Sequence, residues 1–157
     1  MSVVANRIQD FLNHNLICYE TLPHVTDFTA METSEHTHTP GRSFAKAVVV
    51  ETIRNAVMLV LPADHEVELE SVRWALHSPE VSLAPESRLR RIFRDCDRGA
   101  IPPFGNLYGL EVFVSPCVLS NETITFNAGS HEMAIRMSKA DYVTLVDPLV
   151  LDFTHHV

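Results

Sequence analysis

The sequence predicts an α+β fold in which short strands and helices alternate irregularly along 157 residues. About six or seven short segments are rich in β-branched and apolar residues, and about four or five show apolar residues at helical spacing. No predicted strand is followed by a glycine-rich dinucleotide loop, which excludes a doubly wound fold. We therefore predict one domain over residues 1–157, with mixed α/β structure and a sheet large enough to curl.

Helices are predicted where apolar residues recur every three or four positions. The first carries Val4, Ile8, Phe11 and Leu12. A capping-box pattern at residues 29–32 predicts a brief second helix before Pro40 and Gly41. Two more are predicted over residues 69–76 and 89–93, and a second capping box at Ser138-Lys139-Ala140-Asp141 starts the last.

Strands are predicted at residues 17–22, 46–51, 56–61, 81–83, 110–114, 123–126 and 133–137. The second and third form a hairpin, because only a short polar turn near Arg54 and Asn55 separates them. Residues 127–130, Asn-Ala-Gly-Ser, are expected to form the turn before the last strand. Residues 95–109 are expected to form a loop.

Composition narrows the functional classes. Hydrophobic residues make up 46% of the chain, and the net charge is −8. This acidity disfavours broad, nonspecific attachment to nucleic acid, whose affinity comes mainly from neutralised phosphates. It leaves open a protein that holds one end of a strand with one or two cations. We predict no membrane span and a cytoplasmic location, because no long apolar run or signal peptide is present.

The loop Gly99-Ala100-Ile101-Pro102-Pro103-Phe104-Gly105-Asn106-Leu107-Tyr108-Gly109 combines stiff prolines with permissive glycines. Such a loop can bring backbone N–H groups close to a carbonyl or phosphate oxygen, as an oxyanion site requires. It can equally be a structural crossover. Composition alone does not separate the two interpretations.

Lys46 and His131 are the side chains most suited to chemistry. Lys46 begins an apolar strand, where it is either a solvent-directed edge residue or a point charge that suits a phosphate. His131 follows a turn, where it either makes surface hydrogen bonds or orients a substrate group or water. Ser130 and His131 do not form a nucleophilic pair, because adjacent strand residues point to opposite faces.

Metal ligation is not predicted. His36 and His38, and His155 with His156, lack a third ligand at a recognisable spacing. The three cysteines, Cys18, Cys96 and Cys117, form no CxxC pair, which indicates neither a thiolate zinc site nor a disulfide framework.

Three motifs in this chain resemble, in order, those of the YbaK/EbsC family, the editing domain associated with prolyl-tRNA synthetase. Residues 40–50, Pro-Gly-Arg-Ser-Phe-Ala-Lys-Ala-Val-Val-Val, are similar to its lysine-bearing segment. Residues 99–105 are similar to its Gly-x-x-Pro-Pro-Phe-Gly loop. Residues 126–131 and 135–142 resemble its terminal hairpin and helix. The resemblance covers roughly residues 40–150 and implies a barrel-like mixed sheet with flanking helices.

What the resemblance implies for function is a free-standing aminoacyl-tRNA deacylase that removes a small amino acid from mischarged tRNA. Lys46 would hold the phosphate next to the terminal adenosine, and Gly105 with the neighbouring backbone would position the aminoacyl carbonyl. His131 would contact the substrate. These three would be the catalytic residues, and the substrate would be bound by Lys46, Pro103, Phe104, Gly105, Gly129, Ser130 and His131.

An aminoacyl ester is already activated, so a positioned water and a stabilised oxyanion suffice, without a covalent intermediate, metal or organic cofactor. The expected partner is the acceptor end of tRNA, with a synthetase as a possible second partner. A different class remains open: a non-catalytic module of the same fold that binds a nucleotide, a tRNA end or a protein. A hydrolase of another small ester is also open, because fold does not fix substrate.

Overall fold

The computed structural model describes residues 3–23 and 43–156, with the side chains of residues 3–6 and 156 left out. Its helices are α1 (Val3–His14), α2 (Leu69–Ala75), α3 (Glu86–Ile92) and α4 (Lys139–Val146). Its strands are β1 (Tyr19–Pro23), β2 (Ala45–Thr52), β3 (Ala56–Pro62), β4 (His65–Val67), β5 (Val81–Leu83), β6 (Glu111–Val114), β7 (Thr123–Ser130), β8 (Met133–Ser138), β9 (Leu149–Val150) and β10 (Thr154–His156). Two 3₁₀ turns span Gly105–Tyr108 and Val118–Ser120.

The largest sheet has five strands in the order β5-β2-β3-β6-β9. The predicted hairpin is confirmed: β2 and β3 pair antiparallel, with Lys46 opposite Leu61 and Glu51 opposite Ala56. Strand β6 runs parallel to β3 and to β9, so the sheet is mixed. The β2–β3 hairpin therefore forms the centre of the molecule.

A second sheet, β1-β8-β7, is antiparallel, and β4 pairs with β10 in a third. One parallel bridge, Phe44 to Thr125, connects the start of β2 to β7. The α+β class is confirmed. The single barrel-like sheet was a wrong expectation in detail, because the described strands form three separate sheets and leave the short edge strands β5 and β9 on the largest.

Strand alternation divides the interior into two faces of the β2–β3 hairpin. Ala45 and Val49 face the main core, which also contains Ile8 and Leu12 of α1. Val48 and Val50 face a second cluster, with Leu59 of β3. Along β2, the side chains of residues 45 and 49 therefore face the main core, and those of residues 48 and 50 face the second cluster.

Most predicted elements are found within a few residues of their expected bounds. The helix cap at Ser138 is confirmed, since its hydroxyl accepts a 3.0 Å hydrogen bond from the Asp141 amide. The turn predicted at residues 127–130 was wrong: β7 continues to Ser130, with a register irregularity that Gly129 accommodates at φ +89°. The helix predicted at residues 29–32 lies outside the described residues. No described helix is long and apolar enough to cross a membrane.

Candidate active site

Lys46 lies partly buried near the start of β2. Its amine donates a 3.3 Å hydrogen bond to the carbonyl oxygen of Ala63, just after β3. Its side chain has the parity of Val48 and Val50, so it leaves β2 on the face opposite the main core. The amine is thus anchored at one end of the hairpin instead of extending freely into solvent.

Charge and burial oppose each other at this amine. Burial is the larger effect and lowers the pKa of Lys46, whereas the nearby carboxylates of Glu66 and Asp64 act to raise it. A cation held in a partly desolvated recess interacts more strongly with an added anion than an exposed lysine does. The two carboxylates stabilise the charged form of this amine against the effect of burial.

The Phe44–Thr125 bridge brings the end of β7 close to Lys46. The bridge is parallel, so the two chains run in the same direction there. Lys46 lies two residues after Phe44, and Asn127 lies two residues after Thr125. Asn127 is 4% exposed, and its buried Oδ1 has no hydrogen-bond partner among the described residues. A buried amide oxygen of this kind is a built acceptor for a donor supplied by water or a ligand.

Small apolar residues lie beside this pair. Phe44, Ala63 and Ala134 form a separate buried cluster, with Leu22 of β1 packed against it. Ala134 is the direct partner of Asn127 across the β7–β8 ladder. We use the name Lys46 recess for the region around Lys46 and Asn127, and this apolar cluster with its two alanines lies next to it.

The end of the β7–β8 hairpin is fastened to residues 97 and 98. The Asp97 amide donates to the Gly129 carbonyl at 2.8 Å, and the His131 amide donates to the Asp97 carboxylate at 3.3 Å. The imidazole Nε2 of His131 contacts the Arg98 carbonyl, and because a carbonyl can only accept, Nε2 carries the hydrogen. His131 and Gly129 therefore fix the entry of the Gly/Pro-rich loop.

The predicted Ser130–His131 separation agrees with the geometry. The Ser130 hydroxyl accepts a 3.1 Å hydrogen bond from the Glu132 amide, while the imidazole points to Arg98. Ser130 and His131 are each 5% exposed. These contacts define the hairpin turn, and they do not assemble a serine nucleophile.

Pro103, Phe104 and Gly105 are buried inside the protein, and their role in binding substrate stays a prediction. Phe104 is 0% exposed and belongs to the main core, where its ring packs edge-on against Phe126 and Tyr142. The Pro103 carbonyl accepts a 2.7 Å hydrogen bond from the buried Tyr142 hydroxyl.

Gly105 is also a packing residue. A Cβ added there would lie 2.8 Å from Val112 Cγ2 and 3.2 Å from the Leu110 carbonyl oxygen. This surrounding belongs to the core face opposite Lys46. Gly105 therefore has a packing role, and its convergence with Lys46 at one site stays a prediction.

The histidines singled out for metal binding have other partners or lie outside the described residues. His155 contacts two carboxylates, Glu66 at 3.5 Å and Glu68 at 3.1 Å, across the β4–β10 pair. His36 and His38 fall in the part of the chain that is not described. Among the described residues, no three His, Cys, Asp or Glu side chains converge on one point.

Comparison with known families now identifies the chain. The sequence model of the aminoacyl-tRNA editing domain matches residues 24–145. The chain belongs to this family. The matched range includes Lys46, Asn127 and His131, and the prediction of an aminoacyl-tRNA deacylase of the YbaK type is confirmed at this level.

Two individual proteins illustrate the relationship. The Multifunctional Ser/Thr-tRNA deacylase ProXp-y of Escherichia coli (strain K12) is 28% identical over 114 residues, which cover 69% of this chain and 68% of that protein. A crystal structure described as a proposed trans-editing enzyme for prolyl tRNA synthetase superposes with a TM-score of 0.84, 18% identity and 99% coverage of both chains. The second likeness establishes the fold.

Asn127 and Asp97 were missed as site residues. Asn127 was assigned to a turn because the run Asn-Ala-Gly-Ser is typical of turns, whereas strand alternation places Phe126 in the main core and Asn127 on the other face. Asp97 carried no local signal, since its contact with His131 joins residues 34 positions apart. The sequence signal that could have identified Asn127 is a polar residue within an apolar strand, close to a glycine.

Proposed function

We propose that this chain hydrolyses the ester of a mischarged tRNA carrying a small amino acid, acting in trans at the Lys46 recess. The observation that carries the proposal is the partly buried ammonium of Lys46 beside the buried amide of Asn127. One supplies a positive charge for a phosphate, and the other supplies an acceptor for a hydroxyl or water.

The chemistry needs little from the protein, because the aminoacyl ester is activated. Lys46 binds the phosphate next to the terminal adenosine, which fixes the ester in place. Asn127 accepts a hydrogen bond from the attacking water or from a ribose hydroxyl that orients it. His131 holds the loop entry that borders the site, and no covalent intermediate forms.

We expect selectivity for a small side chain, because the packed, buried cluster of Phe44, Ala63 and Ala134 lies beside the Lys46 recess. The Ser/Thr specificity in the printed name of the Escherichia coli relative is in line with a small polar substrate. Discrimination by one methylene is limited to about 1–3 kcal/mol, so several small amino acids should be accepted.

The test is a deacylation screen with alanyl-, seryl-, cysteinyl- and threonyl-tRNA, comparing the wild type with Lys46→Ala. Losing a charge-assisted contact of about 1.5–3 kcal/mol should lower kcat/KM roughly 10- to 100-fold. Lys139→Ala is the matched control, because Lys139 is the chain's other lysine and also donates to a carbonyl, that of Leu119 at 3.0 Å.

Wild-type kcat/KM in a Lys46→Ala protein with an unchanged unfolding midpoint would remove Lys46 from the mechanism. No hydrolysis by the wild type across the panel, with saturable binding of adenosine or an acceptor-stem minihelix, would support the non-catalytic module instead.

A further inference from the structure

The cations of this acidic chain are concentrated in one short segment. Of 12 lysines and arginines, five are Arg88, Arg90, Arg91, Arg94 and Arg98, in or just after α3. Arg88 pairs with Glu51 at 3.6 Å, and Arg98 pairs with Glu86 at 3.7 Å. The other three are exposed and form no ion pair with any described residue.

A cavity of about 440 Å³ lies between α3 and residues 96–101. Arg90 and Arg98 line it, and Leu89, Phe93 and Ile101 contribute apolar surface. Its lining also contains two acids: Glu86 pairs with Arg98, and the Asp97 carboxylate accepts from the His131 amide. Arg90 is then the lining cation that has no ion pair with a described residue, and apolar surface next to a guanidinium group suits a base with its flanking phosphate.

The cavity and the Lys46 recess are connected through residues of the β7–β8 hairpin. The Arg98 carbonyl contacts His131, which lies four residues beyond Asn127 in the same hairpin. At the spacing of extended chain, four residues span no more than about 13 Å. A strand end held at Lys46 would cross the end of this hairpin to reach the cavity.

We propose that this arginine-lined cavity binds the single-stranded nucleotides that precede the terminal adenosine of the tRNA acceptor end. The inference rests on the proposed function and adds a second binding site to it. Arg90 and Arg98 contact phosphates, while Leu89, Phe93 and Ile101 cover a base. Residues 86–98 carry five arginines and three acids, and this local excess of two positive charges would help a chain of net charge −8 to hold a polyanion.

The experiment compares Arg90→Gln/Arg98→Gln with a control pair, Arg54→Gln/Arg73→Gln, which reaches the same net charge but lies away from the cavity. Each protein is assayed on the charged tRNA and on the aminoacyl-adenosine fragment. The cavity variant should raise KM for the tRNA roughly tenfold and reduce the slope of log KM against log salt by about 1.4, because two phosphate contacts are lost. Hydrolysis of the fragment should not change.

Equal KM values for both double variants would overturn the inference, as would equal competition by duplex DNA of matched length. A wild type inactive on both substrates would refute the proposed function instead. The cavity is then tested by equilibrium binding of an uncharged acceptor-stem minihelix with its single-stranded 3′ end. Weaker binding by the cavity variant alone supports the site, and equal binding by both variants overturns it.

Discussion

The two ends of the segment from residue 97 to residue 105 differ in burial, although they are adjacent in one Gly/Pro-rich stretch. At the first end, Asp97, Arg98 and Gly99 are exposed and line a cavity, and Asp97 and Arg98 also contact the β7–β8 hairpin. At the second end, Phe104 and Gly105 are buried in the main core.

The difference shows that one sequence motif can contain both exposed residues that line a surface and buried residues that hold that surface in place. Phe104 packs among aromatic rings, and the Pro103 carbonyl binds the Tyr142 hydroxyl, so this end fixes the path of the segment. The first end then reaches His131 in a defined position. We expect substitutions at the second end to change stability and those at the first to change binding.

Gly105→Ala should have the largest effect on stability. The new Cβ would meet a Val112 methyl at 2.8 Å and a backbone oxygen at 3.2 Å, and a backbone atom cannot move aside easily. Overpacking of this kind costs about 1–3 kcal/mol, and we expect a value near the top of that range. Urea unfolding followed by circular dichroism measures it.

The control for this substitution is Gly109→Ala. Gly109 has φ +72° and nothing within 4 Å of an added Cβ, so it reports backbone strain without a clash. If Gly105→Ala were no more destabilising than Gly109→Ala, the buried end would not be packed as tightly as described. Below the unfolding transition, kcat/KM of the Gly105→Ala protein should be close to that of the wild type.

Gly99→Ala should have a smaller effect on stability and a larger one on binding. Gly99 is exposed and has φ +79°, a conformation that costs an alanine about 1 kcal/mol. Because Gly99 lines the arginine cavity, a shift of the local backbone should raise KM for tRNA several-fold. A stability loss equal to that of Gly105→Ala, with unchanged KM, would abolish the distinction between the two ends.

Sequence patterns within a few residues correctly predicted those helices, strands and caps that depend on interactions between nearby residues. The β2–β3 hairpin has two apolar strands and a short polar turn, and α1 has an apolar stripe whose Ile8 and Leu12 are fully buried. The cap of α4 followed from the capping-box pattern of Ser138 and Asp141. In each case the signal and the structure lie within a few residues of each other.

What the sequence did not predict depends on distant partners. Strands β4 and β10 exist because His65–Val67 pairs with Thr154–His156, almost ninety positions later. Strand β9 is two residues long and forms only beside β6. Lys46 could be named from its motif, but its relation to Asn127 depends on the Phe44–Thr125 bridge, which no local pattern encodes.

The rate at which the Cys96 thiol is alkylated reports how accessible the first end of the segment is to solvent. This experiment should disturb the folded protein least. Cys96 lines the arginine cavity, yet burial raises the pKa of its thiol to about 12. At pH 8 its thiolate fraction is then roughly a thousandfold below that of an ordinary cysteine. Cys18 and Cys117 are exposed and should be alkylated first, with Cys96 following about tenfold faster for each pH unit gained above 8.

Peptide mapping after timed iodoacetamide treatment at pH 8 and pH 10 measures the three rates. Alkylation of Cys18 and Cys117 should leave deacylation unchanged, since neither lies at the recess or the cavity. Were Cys96 modified as fast as Cys18 at pH 8, its thiol would have to be exposed and ionised. The first end of the segment would then be open in solution, and a cavity with a fixed apolar wall could not select the nucleotides assigned to it.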